Sequence, residues 1–293
     1  MQTPLHHRSW FAVLSTVIAV IAIWYLAALW LNGQQLIKTY ERKNQSWQLT
    51  DIVQQAYAVK RPMLPPPHQV VQEWVKTVFQ TKPSSKRSLV FHTIVTLQST
   101  LLGFALGTVL GILIAVGIVH NRTLESSFMP WVIASQTIPI LAIAPIIVVV
   151  LGAMSITGIF PKAVIAMYLS FFPVTIGMVK GLRSADRLHM ELMQTYFASS
   201  SQLFWKVRWY SAQPYLFASL KIAIASALVG AIVAELPTGS QGGLGARLLS
   251  GSYYGQTVQI WSALLMASLL GASLVFCVSV LEKLMLRKRG YQA

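Results

Sequence analysis

Eight carboxylates, six histidines and one cysteine are the groups from which this 293-residue chain could build acid–base, metal or thiol chemistry. An acid–base pair needs groups within hydrogen-bond reach of one reacting atom. A metal site needs His, Cys or carboxylate ligands at short, regular spacing. His6, His7, His68, His92, His120 and His189 are scattered, and only the first two adjoin. Cys277 stands alone in an apolar run, which rules out a disulfide framework or a cysteine zinc cluster. The sequence contains no G-x-x-x-x-G-K-[ST], no H-E-x-x-H and no G-x-S-x-G. No catalytic residue, cofactor site or metal site is therefore expected, and an enzyme is disfavoured. Glu235 closes one apolar run and Lys162 opens another, and both are expected near a membrane interface, within reach of water. Ionisable groups at mid-membrane depth are few, which counts against a self-sufficient, ion-coupled carrier.

The elements that would position these groups are set by composition. The chain is 55% hydrophobic and 11% charged, with a mean hydropathy of +0.58. Soluble domains carry about 25% charged residues, so an all-α integral membrane protein is expected. The net charge of +15 could suggest a nucleic-acid partner, but the basic residues flank apolar runs and form no separate basic domain. A spanning helix needs about 20 mostly apolar residues. Six stretches qualify, near 11–32, 90–119, 128–152, 159–181, 214–236 and 258–282. The first is too long and aromatic for a secretory leader and reads as a retained anchor. The second carries Gly103, Gly107, Gly111 and Gly117, suited to close helix packing. Pro139 and Pro145 predict a kink or local unwinding in the third. Between the first two spans, Val70, Trp74, Val75 and Val78 share one face of an amphipathic helix.

With the N-terminus in the cytoplasm, short inside segments hold 11 Lys and Arg against 2 in short outside loops. Residues 33–88 place 9 more outside, so charge favours this orientation only modestly. The stretch ELMQTYFASSSQLFWKVRWYSAQPYLF, residues 191–217, then lies on the inner side between the fourth and fifth spans. Asp186 is a fitting N-cap, and Leu188, Leu192, Met193 and Tyr196 share a helical face. The SSS run is expected to end that helix. Leu203, Phe204 and Val207 form a second turn, and Pro214 is expected near the first position of the next span. From these residues alone the segment is either an interfacial anchor or a knob for a cytoplasmic partner.

Glu191 with Leu192 and Met193, then Ala198 and Ser199, then Pro214, Tyr215 and Phe217, resemble the loop of a known family. So do SQTIPILAIAPIIVVVLG (135–152), FPKAVIAMYLSFFPVTIGMVKGLRSAD (160–186) and LKIAIASALVGAIVAELPTGSQGGLG (220–245), in this order. The chain resembles the permease subunit of a bacterial binding-protein-dependent ABC importer, of the nitrate, sulfonate, taurine and thiamine-precursor group. The resemblance covers about residues 90–285. It departs where the family has glycine, here Phe197, and where a proline is common, here Tyr210. Phe197 is expected to alter the surface this turn presents, because no glycine remains to allow a positive φ.

The resemblance implies an importer-permease fold of about six transmembrane helices, with a cytoplasmic coupling helix between spans 4 and 5. It implies a permease core over 90–285, which the apolar and charge pattern flanks with an anchor and periplasmic segment over 1–89 and a basic cytoplasmic tail over 286–293. Both termini would be cytoplasmic, in the bacterial inner membrane. Glu191, Leu192, Met193, Tyr196, Phe197, Ala198, Ser199, Leu203 and Phe204 would form the loop that couples to a separate ATP-binding subunit dimer, which alone would use ATP. A periplasmic substrate-binding protein and a second permease complete the implied partners, and the two departures favour a heterodimer over a homodimer. Residues 237–257 are expected to form either an outer gate or docking loop or a plain connecting loop. Gln136, Thr137, Pro139, Ser170, Thr175 and Glu235 are the expected path residues. A neutral heterocycle of pyrimidine or vitamin-precursor type is the favoured substrate, with a sulfonate, taurine or nitrate as the alternative.

Overall fold

A computed structural model describes residues 6–238 and 242–287 of the protein, with side chains over 10–238 and 242–286. The side chains of His6 and His7, residues 239–241 of the expected outer loop and the tail beyond 287 lie outside the described residues. Among the described residues the fold is helical throughout, without strands. Five helices are long and apolar enough to cross a membrane: Trp10–Arg42, Leu89–His120, Ile159–Arg183, Ser200–Glu235 and Thr257–Leu286. The chain divides into two compact units, Met1–Leu89 with Arg247–Met266, and Val90–Ala246 with Ala267–Ala293. Residues 247–266, expected in the core, thus cluster with the N-terminal segment.

In the first unit, α1 (His6–Arg42) continues ten residues past the expected end of its span. The Asn32-Gly33 pair, a turn signal in sequence, does not interrupt it, and the helix ends before Asn44, which takes a positive φ of 50°. Along its apolar stretch only 6% of residues are buried, so this face suits lipid. Its later turns hold a compact cap. Buried Asn32 donates to the carbonyls of Ala56 (3.1 Å) and Leu64 (2.9 Å) and accepts from the Leu64 amide at 3.2 Å. These bonds secure the end of α2 (Leu49–Ala56) and the proline-rich turn leading to α3 (Pro67–Val75). The expected amphipathic helix is α3 with a π turn over Lys76–Gln80. Val70 is buried and Trp74, Val75 and Val78 are half-buried.

The second unit is built on α4 (Leu89–His120), α7 (Ile159–Arg183) and α10 (Trp209–Glu235). Helix α7 packs extensively on α10. The glycines of α4 lie against α7: a β-carbon at Gly103 would meet Ala166, and one at Gly107 would meet Ser170. Such small-residue contacts let membrane helices approach closely.

The stretch expected as a third span is two helices, α5 (Arg122–Ala134) and α6 (Ile140–Ala153). Pro139 sits at the N-cap of α6 with a ψ of 111°. The residue before a proline is driven out of the helical region, so the chain unwinds from Ser135 to Pro139. Pro145, the other expected kink, remains inside α6. Pro214 lies inside α10, not at its first position, because helix already begins at Ser200 and continues through a π turn over Phe204–Arg208.

Candidate functional site

The connection between α7 and α10 is closed by local hydrogen bonds. Asp186 caps α8 (Arg187–Thr195), its carboxylate accepting from the Leu188 amide at 3.0 Å. The guanidinium of Arg187 donates to Glu191 at 2.9 Å, one turn on. At the far end Tyr196 is the C-cap and Phe197 follows at a φ of +52°. The amide of Ala198 reaches the Met193 carbonyl at 3.0 Å and that of Phe197 reaches Gln194 at 2.9 Å. These two bonds make a Schellman closure, whose left-handed position usually belongs to glycine. The expectation that no residue here would allow a positive φ is therefore corrected: the turn is kept, and Phe197 adopts the glycine conformation. The serines do not end α8. Ser199 begins the next turn, α9 (Ser200–Leu203), in a reciprocal capping box with Gln202.

One residue ties this connection to the helix core. Phe204 is buried among Ala115, Ile118, Met178, Val179, Leu182 and Ala212, and its ring lies against His120 and Trp209. Much of the rest faces outward. Leu188, Leu192, Tyr196 and Phe197 are 70%, 51%, 77% and 96% exposed. Met193, Ala198 and Leu203 are half-buried, and Glu191 and Ser199 are exposed. An amphipathic helix whose apolar face is open is chemically incomplete and fits a second surface.

The opposite end of α10 is built in the reverse way. Glu235 is fully buried. Its carboxylate accepts from the Thr96 hydroxyl at 2.8 Å and from the Gly245 amide at 2.8 Å. Thr96 in turn accepts from the Leu244 amide at 2.9 Å, and His92 Nδ1 accepts from the Gly243 amide at 3.0 Å. The ammonium of Lys162 donates to the Gly242 carbonyl at 3.1 Å. Three helices, α4, α7 and α10, thus hold the turn that starts α11 (Leu244–Tyr253), occupying N–H groups that a helix start leaves unpaired. Gly243 has a φ of +121°, and a β-carbon there would strike the Glu235 carboxylate. Glu235 and Lys162 do not reach water as expected, since both are sealed into this junction.

The six expected path residues are not brought together. Gln136, Thr137 and Pro139 are exposed at the break between α5 and α6. Ser170 and Thr175 are buried in α7 and donate to the carbonyls of Met167 (3.1 Å) and Phe171 (2.9 Å). Glu235 lies in the junction just described. Sequence reasoning missed His92, Thr96 and Tyr168. The Tyr168 hydroxyl donates to the Ser135 carbonyl at 2.6 Å, where α5 ends. Their only signal was polarity within apolar runs. Among the described residues no three His, Cys, Asp or Glu side chains gather as a metal set.

Residues 107–290 match the family of binding-protein-dependent transport system inner membrane components. The formylaminopyrimidine transport permease protein ThiX of Halalkalibacterium halodurans is 34% identical over 220 residues, 74% of this chain and 85% of that protein. The riboflavin transport system permease protein RibX of Chloroflexus aurantiacus is 33% identical, covering 67% of this chain and 71% of its own. The nitrate import permease protein NrtB of Synechocystis is 24% identical, over 61% and 65% of the two chains. The buried helix core, the carboxylate-held glycine turn and the outward α8 all fall largely within the matched span, and the chain belongs to the family of inner-membrane permease components of binding-protein-dependent ABC importers, a non-catalytic transport subunit.

Proposed function

We propose that this chain forms one half of the translocation path for a neutral heterocycle of pyrimidine or vitamin-precursor type. Identity supports the substrate class, being 34% and 33% to the formylaminopyrimidine and riboflavin permeases and 24% to the nitrate permease. The observation that carries the mechanism is the open apolar face of α8 beside a buried Phe204 anchor. In this reading the face seats on a separate ATP-hydrolysing subunit, and Phe204 passes the motion of that subunit to α4, α7 and α10. ATP is bound and used only by the partner. Both termini and α8 lie on the cytoplasmic side, and the glycine turn at Glu235 lies on the outer side, where a binding protein delivers substrate. There it forms part of the outer gate. Gln136, Thr137 and Pro139 are retained as path residues because the unwound segment exposes polar groups.

The second half is proposed to be a different permease. Phe197 and Tyr210 place exposed aromatic side chains where the family has glycine and proline, so the surface from α8 to the start of α10 differs from that of a typical half. Purification of the tagged chain from native membranes in mild detergent tests these assignments. An ATP-binding subunit and a second permease are expected in the complex. Recovery of this chain as the sole permease of an active complex would overturn the heterodimer. Uptake by reconstituted vesicles of a labelled formylaminopyrimidine, in preference to nitrate or taurine, tests the substrate. Preferential uptake of either anion would overturn the heterocycle.

A further inference from the structure

We propose that the cavity where α4 and α7 end takes the phosphodiester of an anionic phospholipid, held between Arg183 and Arg208. This goes beyond the transport reading and does not depend on which face of the membrane that end occupies. The cavity, of about 220 Å³, is lined by Val119, Leu182, Arg183, Ala185, Met190 and Arg208. Arg183 is the last residue of α7 and Val119 the last but one of α4, and both helices are long and apolar enough to cross a membrane. The cavity therefore lies at the level of the lipid phosphates. Basic pockets between membrane helices at that level receive anionic head groups.

The two guanidiniums differ in what they lack. Arg208 closes the π turn over Phe204–Arg208, a helix form that concentrates at functional sites. It is half-buried, yet its guanidinium makes no hydrogen bond or ion pair among the described residues. A partly desolvated charge without a partner is costly. Arg183 is already oriented, its Nη2 lying 2.8 Å from the Glu125 carboxylate on α5. A guanidinium has five donors, so this pair leaves others for a second anion. Phosphate oxygens match the guanidinium fork. The polar lining residues are both cations, so the wall favours an anionic head group over one that also carries an ammonium. The other four are apolar and suit the glycerol and first methylenes of a lipid better than a hydrated inorganic ion. Through Met190 the lipid would also touch α8, joining it to the ends of α4 and α7.

The test uses the complex purified from native membranes and exchanged into nanodiscs of phosphatidylcholine, with and without phosphatidylglycerol. Retained lipid is read by native mass spectrometry and stability by thermal unfolding. Phosphatidylglycerol should raise the unfolding midpoint of wild type. Arg208→Gln should bind it about tenfold more weakly, the factor expected from losing one charge-assisted bond, and should lose most of that rise. Its midpoint in phosphatidylcholine alone should match wild type. Arg208→Met, which keeps the apolar stem, takes its place if the Gln variant does not fold. Lys206→Gln removes the same charge from an exposed position on the same π turn and should bind phosphatidylglycerol as wild type does. Wild-type binding by the Arg208 variants overturns the proposal, including where a partner subunit is lost instead, which would make the bound group a carboxylate. An equal loss in Lys206→Gln also overturns it, since net charge alone would then explain the binding. An equal, Arg208-dependent rise on adding inorganic phosphate to phosphatidylcholine nanodiscs would assign the site to free phosphate and overturn the lipid.

Discussion

The two ends of α10 solve the same problem, closing a connection between helices, by opposite means. At the Trp209 end, α8 and α9 are closed by bonds between residues within five positions of one another, and their apolar face is left open. At the Glu235 end, the turn before α11 is held by His92, Thr96, Lys162 and Glu235, drawn from three helices, and these side chains are buried. Local closure costs the rest of the fold little and leaves a surface free for a partner. Long-range closure commits the helix core, so that the turn cannot move unless α4, α7 and α10 also shift. The first end is suited to receiving a signal and the second to responding as a unit.

The contrast is open to tests, ordered here by expected effect on stability. Glu235→Ala leaves the buried Gly245 amide without an acceptor and the Thr96 hydroxyl with only the His92 carbonyl, and is expected to cost about 3 kcal/mol. Thermal unfolding in detergent should show a clear fall in midpoint, and an unshifted midpoint would break the comparison. Gly243→Ala pushes a β-carbon onto the same carboxylate at a φ of +121°. A loss of about 2 kcal/mol is expected, and Glu235→Ala combined with it should cost less than the sum, since both disturb one contact. Asp186→Ala removes one N-cap and should cost about 1 kcal/mol, confined to α8. Hydrogen exchange should quicken there while the global midpoint holds. Glu191→Ala breaks only an exposed pair with Arg187 and should change stability by less than about 0.5 kcal/mol. Uptake should nevertheless fall, and unchanged uptake would remove Glu191 from coupling.

Much of the α8 end was legible because its determinants are neighbours in the chain. Asp186 as a cap and Leu188, Leu192 and Tyr196 as one face follow from helical spacing alone. Phe197 was misjudged, since steric preference argued against a positive φ, and two backbone bonds outweighed it. The third span was misjudged in another way. Its apolar content suits a continuous helix, and Pro139 divides it. Pro214, a residue of the same type, is accommodated inside α10. The sequence signals a breaker in both places, and only the neighbouring structure selects the outcome.

The sequence by itself determined a helical membrane protein, its five long apolar helices, the amphipathic α8 and the absence of the familiar catalytic loops. Each depends on composition or on periodicity over a few turns, which short-range physics controls. Only the tertiary structure decided the fate of the polar residues within apolar runs. Glu235 and Lys162 look alike as charges at the ends of helices and could have faced water. They are buried because His92 and Thr96, more than 130 residues from Glu235 in sequence, lie beside the Gly242–Gly245 turn and, with them, satisfy its backbone groups. Burial of a charge is tolerable only when every partner is in place, and no local pattern records where those partners will be.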